Sequence, residues 1–234
     1  GGAPTAFVAD SPSGLHGSKT ISNLAAGNHA VTEVADSRYT TTYSAGCNTV
    51  GAKNGDTITC VITNNDKPAT LIVEKKLTTD SGSTADVTNF SFVITGSANS
   101  IIQNFDSDGS VSTPLPKGTY TVTETAAPGF STTYDGCSDI VLDNGESATC
   151  KITNDDQQGT LTIEKRVVND DGGTKVASEF SFQVNGGTAT TFDDDGTNVL
   201  NVDKGTYTVT EVADSGYTTT YSAGCTDNII GNGQ

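Results

Sequence analysis

The segment at 121–137, TVTETAAPGFSTTYDGC, decides the fold because it occurs three times. Its relatives are AVTEVADSRYTTTYSAGC at 30–47 and TVTEVADSGYTTTYSAGC at 208–225. A second segment occurs twice, as TCVITNNDKPATLIVEKKL at 59–77 and TCKITNDDQQGTLTIEKRV at 149–167. Glu33, Glu124 and Glu211 are 91 and 87 residues apart, and Cys47, Cys137 and Cys225 are 90 and 88 apart. Asn64 and Asn154 are 90 apart, as are Lys75 and Lys165. A fixed period near 90 residues marks a tandem array of one small unit. The polar stretches 64–69 and 154–159 each lie between two apolar strands and serve as boundaries. The 234 residues therefore divide into 1–66, 67–156 and 157–234. The first unit is expected to lack its opening strand, the second to be complete, and the third to lack its last strand.

Within a unit the local pattern is all-β. TLIVEKKL, FSFVITG, GTYTVTET and ATCKITN are short, rich in β-branched and aromatic residues, and alternate with period two. Turn chemistry separates them, in TTDSGS, DSDGS, PLPKG and DNGES. Six or seven such strands in about 90 residues predict a small antiparallel β-sandwich or barrel.

Composition narrows the function. The net charge is -16, from 12 basic and 28 acidic residues. Nucleic acid and anionic membrane surfaces need clustered Lys and Arg, so both are excluded as partners. No apolar run approaches the roughly 18 residues of a membrane-spanning helix, so no membrane insertion is expected in this segment.

Cys47 and Cys60 are 13 apart, and so are Cys137 and Cys150. Each pair brackets a turn-rich loop, which predicts one disulfide per unit. Cys225 is then the first half of a third pair whose partner is absent. Zinc needs three or four convergent Cys or His ligands. No unit offers more than two cysteines, and His16 and His29 both fall in the first unit, so no metal and no cofactor are expected. Disulfides imply an oxidising, extracellular setting.

Alternation also assigns faces. Leu71, Val73, Lys75 and Leu77 share one face of their strand, and Leu161, Ile163, Lys165 and Val167 share one face of theirs. Glu124 lies on the face of Tyr120 and Val122, and Asn154 on the face of Ile152. The complete unit thus aims an amine, a carboxyl and a carboxamide into its core. Burial pushes an amine and a carboxyl toward their neutral forms. A neutral amine is a nucleophile, and a carboxylic acid can polarise a carboxamide and carry protons. The product would be a Lys–Asn isopeptide bond with loss of ammonia. A Lys–Glu ion pair hydrogen-bonded to Asn, or a lysine snorkelling to the rim, would use the same residues without a covalent bond.

GTYTVTETAAPGF at 118–130 resembles the E-box of CnaB-type (SpaA-type, prealbumin-like, Ig-like) domains of bacterial surface adhesins and pilins. The resemblance covers the whole repeat. It implies a Lys75–Asn154 crosslink assisted by Glu124. The first unit keeps Glu33 and Asn64 without a lysine, and the third keeps Lys165 and Glu211 without an asparagine. EVADSRY and EVADSGY replace ETAAPGF there, so the Pro-Gly turn is lost. The resemblance implies a stalk, pilus-like filament or adhesin shaft whose partners are neighbouring copies or flanking repeats. The alternative is an adhesin module that recognises a glycan, matrix protein or other host surface ligand through its loops, with 8–27 as the variable surface. No enzyme constellation, P-loop or dinucleotide fingerprint is present.

Three weaker signals remain. NFDSDGS at 104–110 and TFDDDGT at 191–197 resemble the start of calcium loops but lack a closing Glu, and read as solvated acidic turns. Asn89-Phe90-Ser91 is an N-glycosylation sequon. The Thr-rich TTTYSAG is explained by strand propensity.

Overall fold

The computed structural model describes residues 4–9, 14–96 and 100–234. The chain forms two compact units. One comprises 1–70 with 114–117 and 142–147, and the other comprises the rest. Residues 10–13 of the 8–27 surface lie outside the described residues.

Among its described residues the first repeat holds three antiparallel strand pairs. β1 (Val8–Ala9) pairs with β2 (Gly17–Ser18). β3 (Gly27–Ala30) pairs with β5 (Asn48–Ala52), and β4 (Tyr39–Tyr43) pairs with β6 (Ile62–Asp66). The last pairing sets Thr41 opposite Asn64.

Among its described residues the middle repeat is a sandwich of eight strands, where the sequence predicts six or seven. β7 (Ala69–Thr78), β8 (Ser91–Gly96), β9 (Ile101–Asn104) and β10 (Ser110–Leu115) come first. β11 (Gly118–Glu124), β12 (Phe130–Asp135), β13 (Ile140–Leu142) and β14 (Ser147–Asp156) follow. One sheet has the order β10-β7-β14-β12 and the other β13-β11-β8-β9. The additional short strands are sheet-edge pieces, β9 and β13. Alternation places Leu71, Val73, Phe92, Ile94, Val122, Leu142 and Ile152 in the core, while Glu74 and Lys76 stay exposed. Burying each large apolar side chain contributes about 1.5–3 kcal/mol, which drives the two sheets together.

In the third repeat, β15 (Gly159–Glu164) pairs with β18 (Thr197–Val202). β16 (Ser181–Val184) lies between β17 (Thr190–Thr191) and β20 (Val209–Glu211). β19 (Gly205–Tyr207) pairs with β21 (Asn228–Ile230). Its core holds Leu161, Ile163, Phe180, Phe182, Phe192, Val209 and Ile230. YTTTY at 217–221 is not a strand, although the same five residues form β4 in the first repeat. β4 has β6 to pair with, and the described residues of the third repeat offer no such partner. Pairing, not propensity, decides the conformation of this stretch.

The corner after each repeated Glu closes the same way three times. Tyr39, Phe130 and Tyr217 donate their N–H to the carbonyls of Asp36, Ala127 and Asp214, at 3.1, 3.2 and 3.2 Å. In the middle repeat Pro128 and Gly129, with φ +84°, build the turn. In the others an aspartate substitutes. Asp36 Oδ1 accepts the Arg38 N–H at 3.0 Å, and Asp214 Oδ1 accepts the Gly216 N–H at 2.9 Å. The Arg38 guanidinium and N–H hold the Asp36 carboxyl down at about 2.

Candidate functional site

Three strands of the middle repeat carry the expected site residues. β7 carries Lys75, the end of β11 carries Glu124, and β14, the sheet neighbour of β7, carries Asn154. The Lys75 ammonium pairs with Glu124 Oε1, and the two side chains are 0% and 2% exposed. Lys75 Nζ stands 4.2 Å from the centre of the Phe90 ring and 5.7 Å from that of Phe105. Burial pushes the Lys75 amine below its ordinary 10.5, with Glu124 opposing the shift in part.

Glu124 is fixed from two further sides. Thr132 Oγ1 donates to Glu124 Oε2 at 3.3 Å, and the Glu124 N–H donates to Tyr134 Oη at 3.1 Å. Asn154 is wholly buried, and neither its Oδ1 nor its Nδ2 has a hydrogen-bond partner. An orphaned buried polar group costs about 1–3 kcal/mol, so a carboxamide left unsatisfied at both atoms calls for a reason.

The other repeats hold parts of the same arrangement. In the third, Lys165 Nζ lies 2.5 Å from Glu211 Oε2 and 4.1 Å from the Phe180 ring centre. Thr219 Oγ1 donates to Glu211 Oε1 at 3.2 Å, and the Glu211 N–H donates to Tyr221 Oη at 2.9 Å. In the first, Asn64 Nδ2 donates to Glu33 Oε1 at 3.0 Å and Thr41 Oγ1 donates to Asn64 Oδ1 at 2.7 Å. The Glu33 N–H donates to Tyr43 Oη at 3.0 Å. Sequence reasoning missed the tyrosine, the threonine two residues before it and the phenylalanine beneath the amine. The tyrosine had a readable signal: it recurs ten residues after each Glu.

Cys47–Cys60 and Cys137–Cys150 are disulfides, and Cys225 is free. Cys150 lies in β14, whereas the Cys137 carbonyl accepts the Val122 N–H of β11 at 2.8 Å. The second bond therefore ties β14 to the loop between β12 and β13, which meets β11.

The acidic loops serve the lysine strands. Asp108 and Asp195 cap their own turns through the N–H groups of Ser110 and Thr197, at 2.9 and 2.8 Å. Gly109 and Gly196 accept the N–H of Lys75 and Lys165, each at 2.7 Å. Both glycines have positive φ, and a Cβ on either would meet the lysine carbonyl oxygen within 3 Å. Among the described residues one carboxylate cluster could gather around a cation, Asp80, Asp155 and Asp156, outside both loops. Asp156 already accepts the N–H groups of Ser81 and Ser83, at 2.9 and 2.8 Å. No described helix is long and apolar enough to cross a membrane.

The chain belongs to the prealbumin-like fold domain family of the SpaA type, whose model matches residues 66–152 and again 156–233. Among solved structures it is similar to the Bacillus anthracis TIE protein, at 23% identity and a TM-score of 0.49, over 75% of this chain and 34% of that one. It is also similar to a Streptococcal ancillary pilin, at 19% identity and a TM-score of 0.31, over 69% and 59%. A third is the pilus adhesin SpaC from Lactobacillus rhamnosus GG, at 15% identity and a TM-score of 0.31, over 73% and 22%. The chain thus spans about a third of the length of the first of these. No curated protein matches the sequence.

Proposed function

We propose that the chain is part of an extracellular structural array: a cell-surface stalk, pilus-like filament or adhesin shaft whose partners are repeats of its own kind. The complete repeat closes itself with a Lys75–Asn154 isopeptide bond. The observation that carries this reading is the Asn154 carboxamide, buried without a partner on the strand beside Lys75. Two disulfides and an acidic surface support the extracellular setting.

The chemistry is one turnover on the protein itself. Lys75 Nζ, as the neutral amine, attacks Cγ of Asn154 and the new C–N bond forms. Glu124 takes a proton from Nζ and passes it to the departing nitrogen. The Cγ–Nδ2 bond breaks, ammonia leaves and an amide remains. The dry site favours the neutral amine and excludes hydrolysis. No external substrate is consumed, so the role is structural.

Intact mass of the native chain, with its disulfides reduced, tests this. One ammonia less than the sequence mass is expected, and Glu124→Ala should restore the full mass. In the 234-residue chain Lys165 should keep a free amine, because residues 157–234 contain no counterpart of Asn154. A wild-type chain at its full sequence mass overturns the reading.

A further inference from the structure

The sequence marks 154–159 only as a polar boundary, and repeats joined by such a stretch move independently by default. The structure gives the boundary a different character. β14 ends at Asp156 and β15 begins at Gly159, so two residues separate the strands. Asp156 is 4% exposed, and Gly159 is buried. Residues 71–113, 118–141 and 148–234 form one compact unit, which takes in most of the middle repeat and all of the third.

Asp156 is held from both repeats. A buried carboxylate needs hydrogen-bond donors to offset its lost hydration. Its Oδ1 accepts the Ser81 N–H at 2.9 Å and its Oδ2 the Ser83 N–H at 2.8 Å, both from the loop between β7 and β8. Oδ2 also accepts Asn232 Nδ2 of the third repeat at 3.2 Å. The same Nδ2 lies 2.9 Å from the Ser81 carbonyl oxygen and 3.0 Å from that of Gln157. One carboxamide of the third repeat thus grips the middle repeat and the linker at once.

The backbone spans the boundary as well. The Gln157 N–H donates to the Gly129 carbonyl at 2.9 Å, at the corner after Glu124, while the Gln157 carbonyl accepts the Gly233 N–H at 3.1 Å. The Lys204 N–H donates to the Ser81 carbonyl at 2.9 Å. Two glycines of the middle repeat admit this close approach. Gly82 has φ +85°, and a Cβ there would meet the Lys204 carbonyl oxygen at 2.9 Å. Gly129 has φ +84°, and a Cβ there would meet the Asn232 carbonyl oxygen at 2.8 Å.

The pattern recurs at 66–67, inside the other compact unit. There the Lys67 N–H donates to the Arg38 carbonyl at 2.9 Å, the Gly145 N–H to the Lys67 carbonyl at 3.2 Å, and Asn144 Nδ2 to Asp66 Oδ2 at 3.2 Å. Arg38 holds the place of Gly129 in its corner, and Asn144–Gly145 the place of Asn232–Gly233. The linker residue differs, Lys67 against Gln157, but its backbone makes both bonds in each case.

We propose that the Asn232–Gly233 turn is a clasp that locks the third repeat onto the middle one and makes them a single rigid body. The surface it fits is the end of the middle repeat formed by Ser81–Ser83 and the corner at Gly129, with the Asp156 carboxylate as the shared acceptor. Charge-assisted hydrogen bonds to a buried carboxylate are the strong kind, so the clasp holds where a polar linker alone would swing. The matching bonds at 66–67 mark the turn as a recurring device. The clasp rests on the array proposed above and names how one repeat is coupled to the next; it uses no covalent bond.

The test is a set of residual dipolar couplings from the 234-residue chain in a neutral aligning gel. Couplings from 71–113 and from 157–234 should fit one alignment tensor. Asn232→Ala takes the carboxamide away from all three oxygens, and Gly82→Ala forces a methyl against the Lys204 carbonyl. In either variant the two sets should lose their common tensor, while the core amide signals of Phe92 and Phe182 stay where they are. Should Asn232→Ala disturb those core signals, Gly82→Ala decides alone. Separate tensors in the unsubstituted chain overturn the inference, and so does a common tensor kept in both variants. Intact mass keeps clasp and crosslink apart. A chain at its full sequence mass with a common tensor keeps the clasp and loses the crosslink; a chain lighter by one ammonia with separate tensors does the reverse.

Discussion

Lys75 is held as a buried cation would have to be, with a carboxylate on one side and two aromatic rings on others. The inward placement of Lys75, Glu124 and Asn154 was legible because strands alternate faces and each residue shares a face with apolar neighbours. The supports around Glu124 were not legible in the same way. Thr132 and Tyr134 sit in a Thr-rich run whose composition is fully explained by strand propensity. What gives them a role is the fold of that run back over β11, a tertiary event. Tyr134→Phe removes the acceptor of the Glu124 N–H, and should lower thermal stability by about 1 kcal/mol in a denaturation experiment. A variant as stable as the wild type would mean that water replaces the hydroxyl without cost.

Among the elements, the corner and the acidic loops show where local sequence misleads. The change from AAPGF to ADSRY removes the Pro-Gly pair but keeps the turn, because an aspartate side chain supplies the constraint that Pro-Gly supplied. DSDG and DDDG look like cation loops because carboxylates cluster in them. Their glycines instead place a carbonyl against the lysine strand, a close approach that composition alone does not reveal. The cysteine spacing was more direct, since a short loop between strands constrains its own partners. The Cys137–Cys150 bond closes a 13-residue separation between β14 and the loop after β12. Replacing both cysteines by serine should lower the stability of the middle repeat by about 2–3 kcal/mol, read as a shift in its denaturant midpoint. An unchanged midpoint would show that the bond adds nothing beyond the packing around it.

For the whole molecule, periodicity gave the organisation before any strand was assigned, because a repeated unit must repeat its core and its turns together. Pairing was the part that periodicity could not supply: YTTTY is a strand in one repeat and irregular in another. The sheet order β10-β7-β14-β12 has a mechanical consequence. The polypeptide enters the middle repeat along β7 and leaves it along β14, which are neighbours. A bond between Lys75 and Asn154 would let tension pass directly from one to the other. The 78 residues from Lys76 to Thr153 would hang beside the line of pull as slack never taken up. In single-molecule stretching with the disulfides reduced, Glu124→Ala should show an extra lengthening of about 270 Å as this repeat opens, and the wild type should not. The same step in both chains would mean the tension runs through the whole sandwich. Where the bond is present, the reach of the array is set by its covalent short cuts and not by how well its sandwiches resist unfolding.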